Sequence, residues 1–245
     1  MITDIYTVIW KEYKELLHQR GSTRSTVLML LFPAGIIGIM IPLQTGRKWV
    51  ESPISLLSMV WILMILVIPM IADSFAGERE RHTLETLLSS RLSDRAILLG
   101  KMISSLTYAL FLSGLIVILG LVTVNLAYGR GELLFFTPMF ILVGVAVCFL
   151  GAFLMTTAGV LVSMKASTVK QAHQTMFLGL IVLWLLPIIT LHLLPREFTN
   201  TLFRKLNTAD PSVMVLILLG GLSIVVITIL RIALVRFKRT MMIFD

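Results

Sequence analysis

The residues with the most obvious chemistry in this sequence lie in one segment, residues 73–101, which reads DSFAGERERHTLETLLSSRLSDRAILLGK. Its acidic residues, which are mixed with five basic ones, are Asp73, Glu78, Glu80, Glu85 and Asp94. A charge set this evenly balanced does not indicate a simple metal site, where acidic ligands dominate. It predicts a solvated face or charge-assisted contacts with a partner protein.

Catalytic motifs are missing from the rest of the sequence. The chain contains no HExxH, no GxSxG and no Cys/His cluster with metal-ligand spacing. It also has no GxxxxGK[ST] loop, because Gly100-Lys101 is the only Gly-Lys pair and lacks the preceding glycine. We therefore expect that this chain is not an enzyme and binds no cofactor or metal itself.

The elements that position these charges are set by the composition. The 245 residues are 57% hydrophobic and 14% charged, with a mean hydropathy of +0.95. A single globular core of this size could not bury so much apolar surface, so lipid must be the solvent. The net charge of +8 indicates basic anchors beside membrane spans and not a nucleic-acid partner, because the basic residues lie between apolar runs.

Six apolar windows of about the length that crosses a bilayer predict an all-α membrane protein, a single domain over residues 1–245. The windows cover about 26–44, 54–72, 102–126, 137–164, 175–195 and 212–230. No Asp, Glu, Lys or Arg lies inside any of them, whereas transporters that run on ion gradients normally carry ionisable relays at membrane depth. Energy from ATP would therefore have to act through another chain.

The basic residues also predict the orientation. If both termini lie inside, the inner segments carry 15 Lys and Arg residues and the outer segments carry 6. Such a bias favours a multi-pass protein with both termini in the cytoplasm. The charged segment 73–101 then forms the first cytoplasmic loop.

Two amphipathic helices are expected outside the spans. Residues 4–17 carry apolar side chains at helical spacing beside charged ones, which predicts a helix lying in the membrane interface. In the first cytoplasmic loop, Leu84, Leu87, Leu88 and Leu92 would form one stripe, and the seven-residue spacing of Glu78 and Glu85 would place these acids together on a neighbouring face. Such a helix could dock a partner protein with its charged face while its apolar stripe holds it against the membrane domain.

The run GERERHTLETLL, followed by Gly100-Lys101, resembles the E-x-E-x-x-T-L-E-x-L-L…G-K signature of ABC transporter permeases of the second type. The N-terminal WKEYKELLHQR, Phe32-Pro33 and Ser163…Gln171-Ala172 are also similar to that family. Two residues depart from it: His82 stands where glycine is common, and Arg91 stands where the family often has proline.

The resemblance implies a coupling helix between spans two and three that contacts a separate ATP-binding subunit, present in two copies. The residues expected to couple this chain to the ATPase are Glu78, Arg79, Glu80, Thr83, Leu84, Glu85, Leu87, Leu88, Gly100 and Lys101. ATP and magnesium would bind in the partner subunit. A second permease subunit, identical or homologous, would complete the membrane part, and residues 195–211 would form short re-entrant outer helices or an ordinary surface loop.

The function expected from this resemblance is that of the membrane subunit of an ATP-driven exporter in a prokaryotic plasma membrane, in contact with membrane lipids. The outer loops 45–53 and 127–136 are too short for an external domain. Two alternatives remain at this stage: a permease that exports or flips lipid-linked glycans or lipids, and a membrane scaffold or sensor that binds an ATPase without transport. No substrate-binding residue is identified.

Overall fold

The computed structural model describes residues 1–19, 32, 34–201 and 210–237, and within these residues the ordered elements are helices without strands. A π-helical segment, Ile36–Met40, leads into the first of the short helices. The helices are α1 Ile2–Gln19, α2 Ile41–Thr45, α3 Lys48–Glu51, α4 Pro53–Glu80, α5 Leu84–Ser89, α6 Asp94–Tyr128, α7 Pro138–Lys165, α8 Val169–Leu193 and α9 Pro211–Arg236.

Five of these helices are long and apolar enough to cross a membrane: residues 58–80 of α4, all of α6, α7 and α8, and residues 213–236 of α9. Their apolar residues surround the helix instead of forming one stripe, as expected where lipid replaces water on the outer faces. The 35 residues of α6 span roughly 50 Å, so part of α6 extends beyond the hydrocarbon layer.

Five of the six predicted spans are observed as helices with shifted ends. The helices that cover the second and third predicted spans extend well past them, to Glu80 in α4 and back to Asp94 in α6. The first predicted span, 26–44, lies partly outside the described residues; its described end is the apolar helical stretch Ile36–Thr45. The segment 195–211, expected to form re-entrant helices or a surface loop, also lies partly outside them, and its residues 196–201 are helical.

Helix α4 lies at the centre of the bundle and contacts α6, α7 and α8, while α9 packs on α7 and α1 packs on α6. The hydroxyl of Ser163 on α7 joins α7 to α4 by accepting from the backbone N–H groups of Phe75 (3.1 Å) and Ala76 (3.0 Å) and donating to the carbonyl of Ala72 (2.9 Å). These bonds hold the charged end of the bundle, residues 73–101, in register with α7.

The first loop is not one amphipathic helix. Helix α4 runs to Glu80, residues 81–83 form a turn, and α5 occupies only Leu84–Ser89 before α6 begins after its N-cap Ser93. The helical register that placed Glu78 and Glu85 on one face is therefore interrupted, and that prediction is wrong. The expected apolar stripe is present in part, because Leu84 and Leu87 are buried and Leu92 packs against the same core.

Candidate functional site

Lys101 lies at the centre of a charged cluster between α1, α4 and α6. Its side chain is only 1% exposed, and its Nζ donates to Glu12 Oε1 at 2.5 Å and to the backbone carbonyl of Ser74 at 2.6 Å. Glu78 Oε1 lies 3.4 Å from the same ammonium group. Lys101 therefore connects all three helices, and its position on α6 keeps it out of contact with solvent.

The preceding glycine makes this arrangement possible. A Cβ atom at Gly100 would lie 2.6 Å from Cβ of Val8 on α1, which is closer than carbon atoms approach. Only glycine lets α1 come this near to α6, and the near approach brings Glu12 within reach of Lys101. The Gly100-Lys101 pair thus fixes α1 against the bundle: the glycine provides the space and the lysine provides the charge.

Glu78 is the acidic counterpart of Lys101. Its side chain is 2% exposed, and its carboxylate accepts hydrogen bonds from the ammonium of Lys11 on α1 and from the hydroxyl of Thr83. Removing one partner from such a buried pair costs about 3–5 kcal/mol, because the remaining charge is left without compensation. A direct contact between Glu78 and an ATPase would require this cluster to open.

The outer part of the cluster consists of a second layer of charges. Burial disfavours the charged form of Lys11, but the hydrogen bonds and negative charges of Glu78 and Glu15 outweigh burial and raise the pKa of Lys11. The pKa of Arg81 is likewise raised, since Asp73 (3.1 Å), Glu78 and Glu15 (4.0 Å) outweigh its desolvation. Both side chains therefore remain cationic at neutral pH, and the cluster stays paired.

Arg79 and Glu80 connect this cluster to the turn between α7 and α8. The Arg79 guanidinium donates to the carbonyls of Ala166 (2.7 Å) and Met164 (2.9 Å) at the end of α7. Glu80 accepts from the backbone N–H of Val169 (3.0 Å), the first residue of α8. A cation at a helix C-terminus and an anion at a helix N-terminus complement the partial charges of those ends and satisfy their free backbone groups.

The turn after α4 explains one departure from the family pattern. His82 has a φ of +57°, in the left-handed region that favours glycine. The N–H groups of His82 and Thr83 bond back to the carbonyls of Arg79 and Glu78 at 3.1 Å and 2.9 Å, the pairing of a Schellman motif, in which the left-handed residue is usually glycine. The histidine adopts a conformation there that glycine adopts without strain.

Helix α5 presents two different faces. Leu84 and Leu87 are 7% and 8% exposed and pack into the central core, whereas Glu85 is exposed and, among the described residues, has no hydrogen-bond or ion-pair partner. Arg91, the second departure, is exposed after the end of α5. The side chain of Leu88 lies outside the described part of the structure.

The expected coupling residues whose side chains the structure describes are thus divided among four environments. Glu78, Thr83, Gly100 and Lys101 meet in the buried cluster, Arg79 and Glu80 hold the α7–α8 turn, and Leu84 and Leu87 anchor α5. Of the expected acids, Glu85 is the one that faces outward without a partner within the described chain.

The contribution of α1 to this cluster was not predicted from the sequence. Lys11, Glu12 and Glu15 are among the charged residues of the amphipathic segment 4–17, yet they follow Val8 at positions i+3, i+4 and i+7 and so share the face that packs against Gly100. This spacing would have identified the three charged residues if Val8 had been predicted to be buried. Val8 is 1% exposed, which only the tertiary contact reveals.

Three carboxylates in this cluster, those of Glu12, Glu15 and Glu78, lie near enough to one another to share a cation. Lys11 and Lys101 already donate to these carboxylates. Two ammonium groups therefore supply the positive charge that a metal would bring, and the donor set fits an ion-pair network better than a metal centre.

The apolar helices and the charged cluster at one end define a multi-pass helical membrane protein. The model of the ABC-2 type transporter family matches residues 3–195, and the chain belongs to that family as an ABC transporter permease subunit. This match confirms the resemblance seen in the loop motif. No curated protein matches the chain at a significant level.

Proposed function

We propose that this chain is the membrane-spanning subunit of an ATP-driven exporter in a prokaryotic plasma membrane, with both termini in the cytoplasm. It pairs with a second permease subunit, identical or homologous, and each binds one of two separate ATP-binding subunits, which carry ATP and magnesium. Six spans, the first including residues 26–44, complete the membrane part. The observation that carries the proposal is the two-faced helix α5, with leucines in the core and Glu85 facing outward.

In this proposal α5 is the surface on which the ATPase acts. Glu85 meets a basic or hydrogen-bonding group of the partner, and the leucine face keeps α5 attached to the bundle. A rigid contact of this kind passes a displacement of the partner on to the core, because packed interiors have low compressibility.

The charged cluster provides the route from α5 into the membrane. Thr83 precedes α5 directly and donates to Glu78, which is joined to Lys11 on α1 and Lys101 on α6. Arg79 and Glu80 extend the same connection to α7 and α8. A movement of α5 would therefore reach α4 and, through it, α1, α6, α7 and α8 by hydrogen bonds and ion pairs. These connections support a role of the cluster in transmitting movement within the chain.

The test is a charge reversal at Glu85 with a matched control. We expect Glu85→Lys to leave insertion and folding unchanged but to weaken ATPase binding about tenfold or more, since close charge pairs across an interface contribute about 1.5 kcal/mol or more. Glu51→Lys, a reversal at an exposed acid of α3, should bind the ATPase normally. Affinity is measured on reconstituted subunits, together with ATP turnover.

Equal ATPase affinity for Glu85→Lys, Glu51→Lys and the unchanged chain would contradict the docking role of α5. The scaffold alternative makes a separate prediction. Candidate substrates are added to the reconstituted pair. If none of them alters the rate of ATP hydrolysis and none crosses the membrane, the chain is a scaffold and the exporter proposal is wrong.

A further inference from the structure

A cavity of about 400 Å³ lies between α4, α6, α7 and the π-helical segment, and the coupling proposal makes no use of it. Its volume is in the range of small-molecule pockets, roughly 300–1,000 Å³. Its wall is formed largely by aliphatic and aromatic side chains, among them Ile37, Met59, Leu63, Val117, Phe140 and Val145. The cavity is thus enclosed by several elements and is not a flat apolar face.

An aromatic cluster closes one end of the cavity. The indole of Trp49 on α3 is 4% exposed and lies over Gly120, where a Cβ atom would come within 2.5 Å of Trp49 Cη2. The ring of Phe136 lies 5.3 Å from Trp49 and 5.2 Å from Phe140, centroid to centroid. The close approach at Gly120 fixes the indole, so this end wall is preformed.

The two serine hydroxyls of the wall are already engaged. Ser58 donates its hydroxyl to the carbonyl of Ser55 at 2.7 Å, and Ser113 donates to that of Leu110 at 3.0 Å. No charged residue is among the lining residues of the described structure. An ion, a sugar or a lipid headgroup would lose its hydration there without compensation, so the wall selects an uncharged and apolar occupant.

The cavity wall also has an exposed position at membrane depth. Gly114 lines the cavity, belongs to the spanning helix α6 and is exposed, and a Cβ atom there would meet nothing within 4 Å. In a membrane the abundant apolar group at such a position is an acyl chain. Moving a chain from lipid into the cavity brings no hydrophobic gain, but it restores the dispersion contacts that an empty space would forfeit.

We propose that this cavity binds one acyl chain of a membrane phospholipid, which enters beside Gly114 and ends against Trp49 and Phe136. The headgroup stays outside, because the described wall offers it no charged partner. The proposal concerns lipid binding by the membrane domain and holds whatever molecule the protein transports.

The experiment measures the phospholipid that stays bound to the full chain after extensive washing in detergent, by mass spectrometry. The unchanged chain should retain a phospholipid, and Gly114→Leu, which adds a bulky side chain at the cavity wall, should lower the retained amount about tenfold. The matched control is Gly220→Leu on α9, another position where a Cβ atom meets nothing within 4 Å and which does not line the cavity. It should retain lipid like the unchanged chain.

A second measurement locates the bound chain. A phospholipid with a diazirine near the end of one acyl chain is added in equimolar amount, and labelled peptides should map to 113–121 and 135–148. If Gly114→Leu does not fold, Cys148→Met, which adds volume from α7, replaces it. Equal lipid retention in the cavity-filling and control variants, or labelling spread equally over α9, would overturn the proposal.

Discussion

Near each end of helix α6 a glycine lets another helix pack closely, but the two contacts differ in chemistry. At Gly100 the missing side chain lets Val8 of α1 approach, and the adjoining Lys101 fixes that contact with buried ion pairs. At Gly120 it lets the ring of Trp49 approach, and the contact is fixed by aromatic packing beside a cavity. The first end is polar and fully paired, whereas the second is apolar and leaves space.

The difference follows from the energetics of the two kinds of contact. Buried charges tolerate little displacement, because a lost partner leaves an uncompensated ion in a medium of low dielectric constant. Apolar packing tolerates rearrangement and can exchange a side chain for another apolar group. We therefore expect the Lys101 end to act as a rigid connection and the Trp49 end to act as an adaptable one.

The largest effect should come from removing the central cation. Lys101→Met leaves the carboxylates of Glu12 and Glu78 without this partner, and we expect a loss of about 3–5 kcal/mol in the free energy of unfolding. Thermal unfolding in detergent measures it. The control Lys170→Met, at an exposed lysine of α8, should unfold like the unchanged chain. An equally small loss at Lys101 would show that the cluster is not a rigid connection.

A smaller effect is expected from the two glycines, which test the comparison directly. Gly100→Ala forces α1 away from α6. It should lower the free energy of unfolding by about 1–3 kcal/mol, as overpacking typically does, and it should also reduce ATP turnover by the reconstituted pair.

Gly120→Ala should change the fluorescence of Trp49, measured in a variant with its other tryptophans replaced by phenylalanine, and leave ATP turnover intact. Similar effects of both variants on turnover would contradict the division between the two ends.

The smallest effect concerns two left-handed residues near these ends, one in the turn between α4 and α5 and one just after α6. His82 and Arg130 have φ values of +57° and +45°, and His82→Gly should raise stability by about 0.5–1 kcal/mol, since the strain relieved exceeds the added chain entropy. Arg130→Gly should give a similar gain. His82→Ala keeps the Cβ atom and should give none; a gain equal to that of glycine would show that backbone strain is not the cause.

The membrane character of the chain could be read from its sequence because it depends on composition within local windows. Long uncharged runs indicate spans wherever they occur, and each of the five described spanning helices overlaps a predicted window over most of its length. The extensions of α4 to Glu80 and of α6 back to Asp94 could not be read in this way. Charged residues continue a helix beyond the lipid when their partners lie on other helices, and those partners are not visible in a local window.

The motif around Glu78 was also recognisable from the sequence, since the residue types and their spacing match a family pattern that the family model confirms. What each residue contacts was not recognisable. Glu78 and Glu85 look equivalent on a helical projection, yet the left-handed turn at His82 separates them, and one is buried while the other is exposed.

The sequence by itself therefore determined that this is a multi-pass helical membrane protein of the ABC-2 type, because hydropathy and short motifs are local properties of the chain. Only the tertiary structure decided that Lys101 joins α1 to α4 and that Trp49 closes a cavity over Gly120. Both facts depend on the distance between segments far apart in the chain. Packing sets such distances, and a glycine shows its role only when the neighbour that it admits is known.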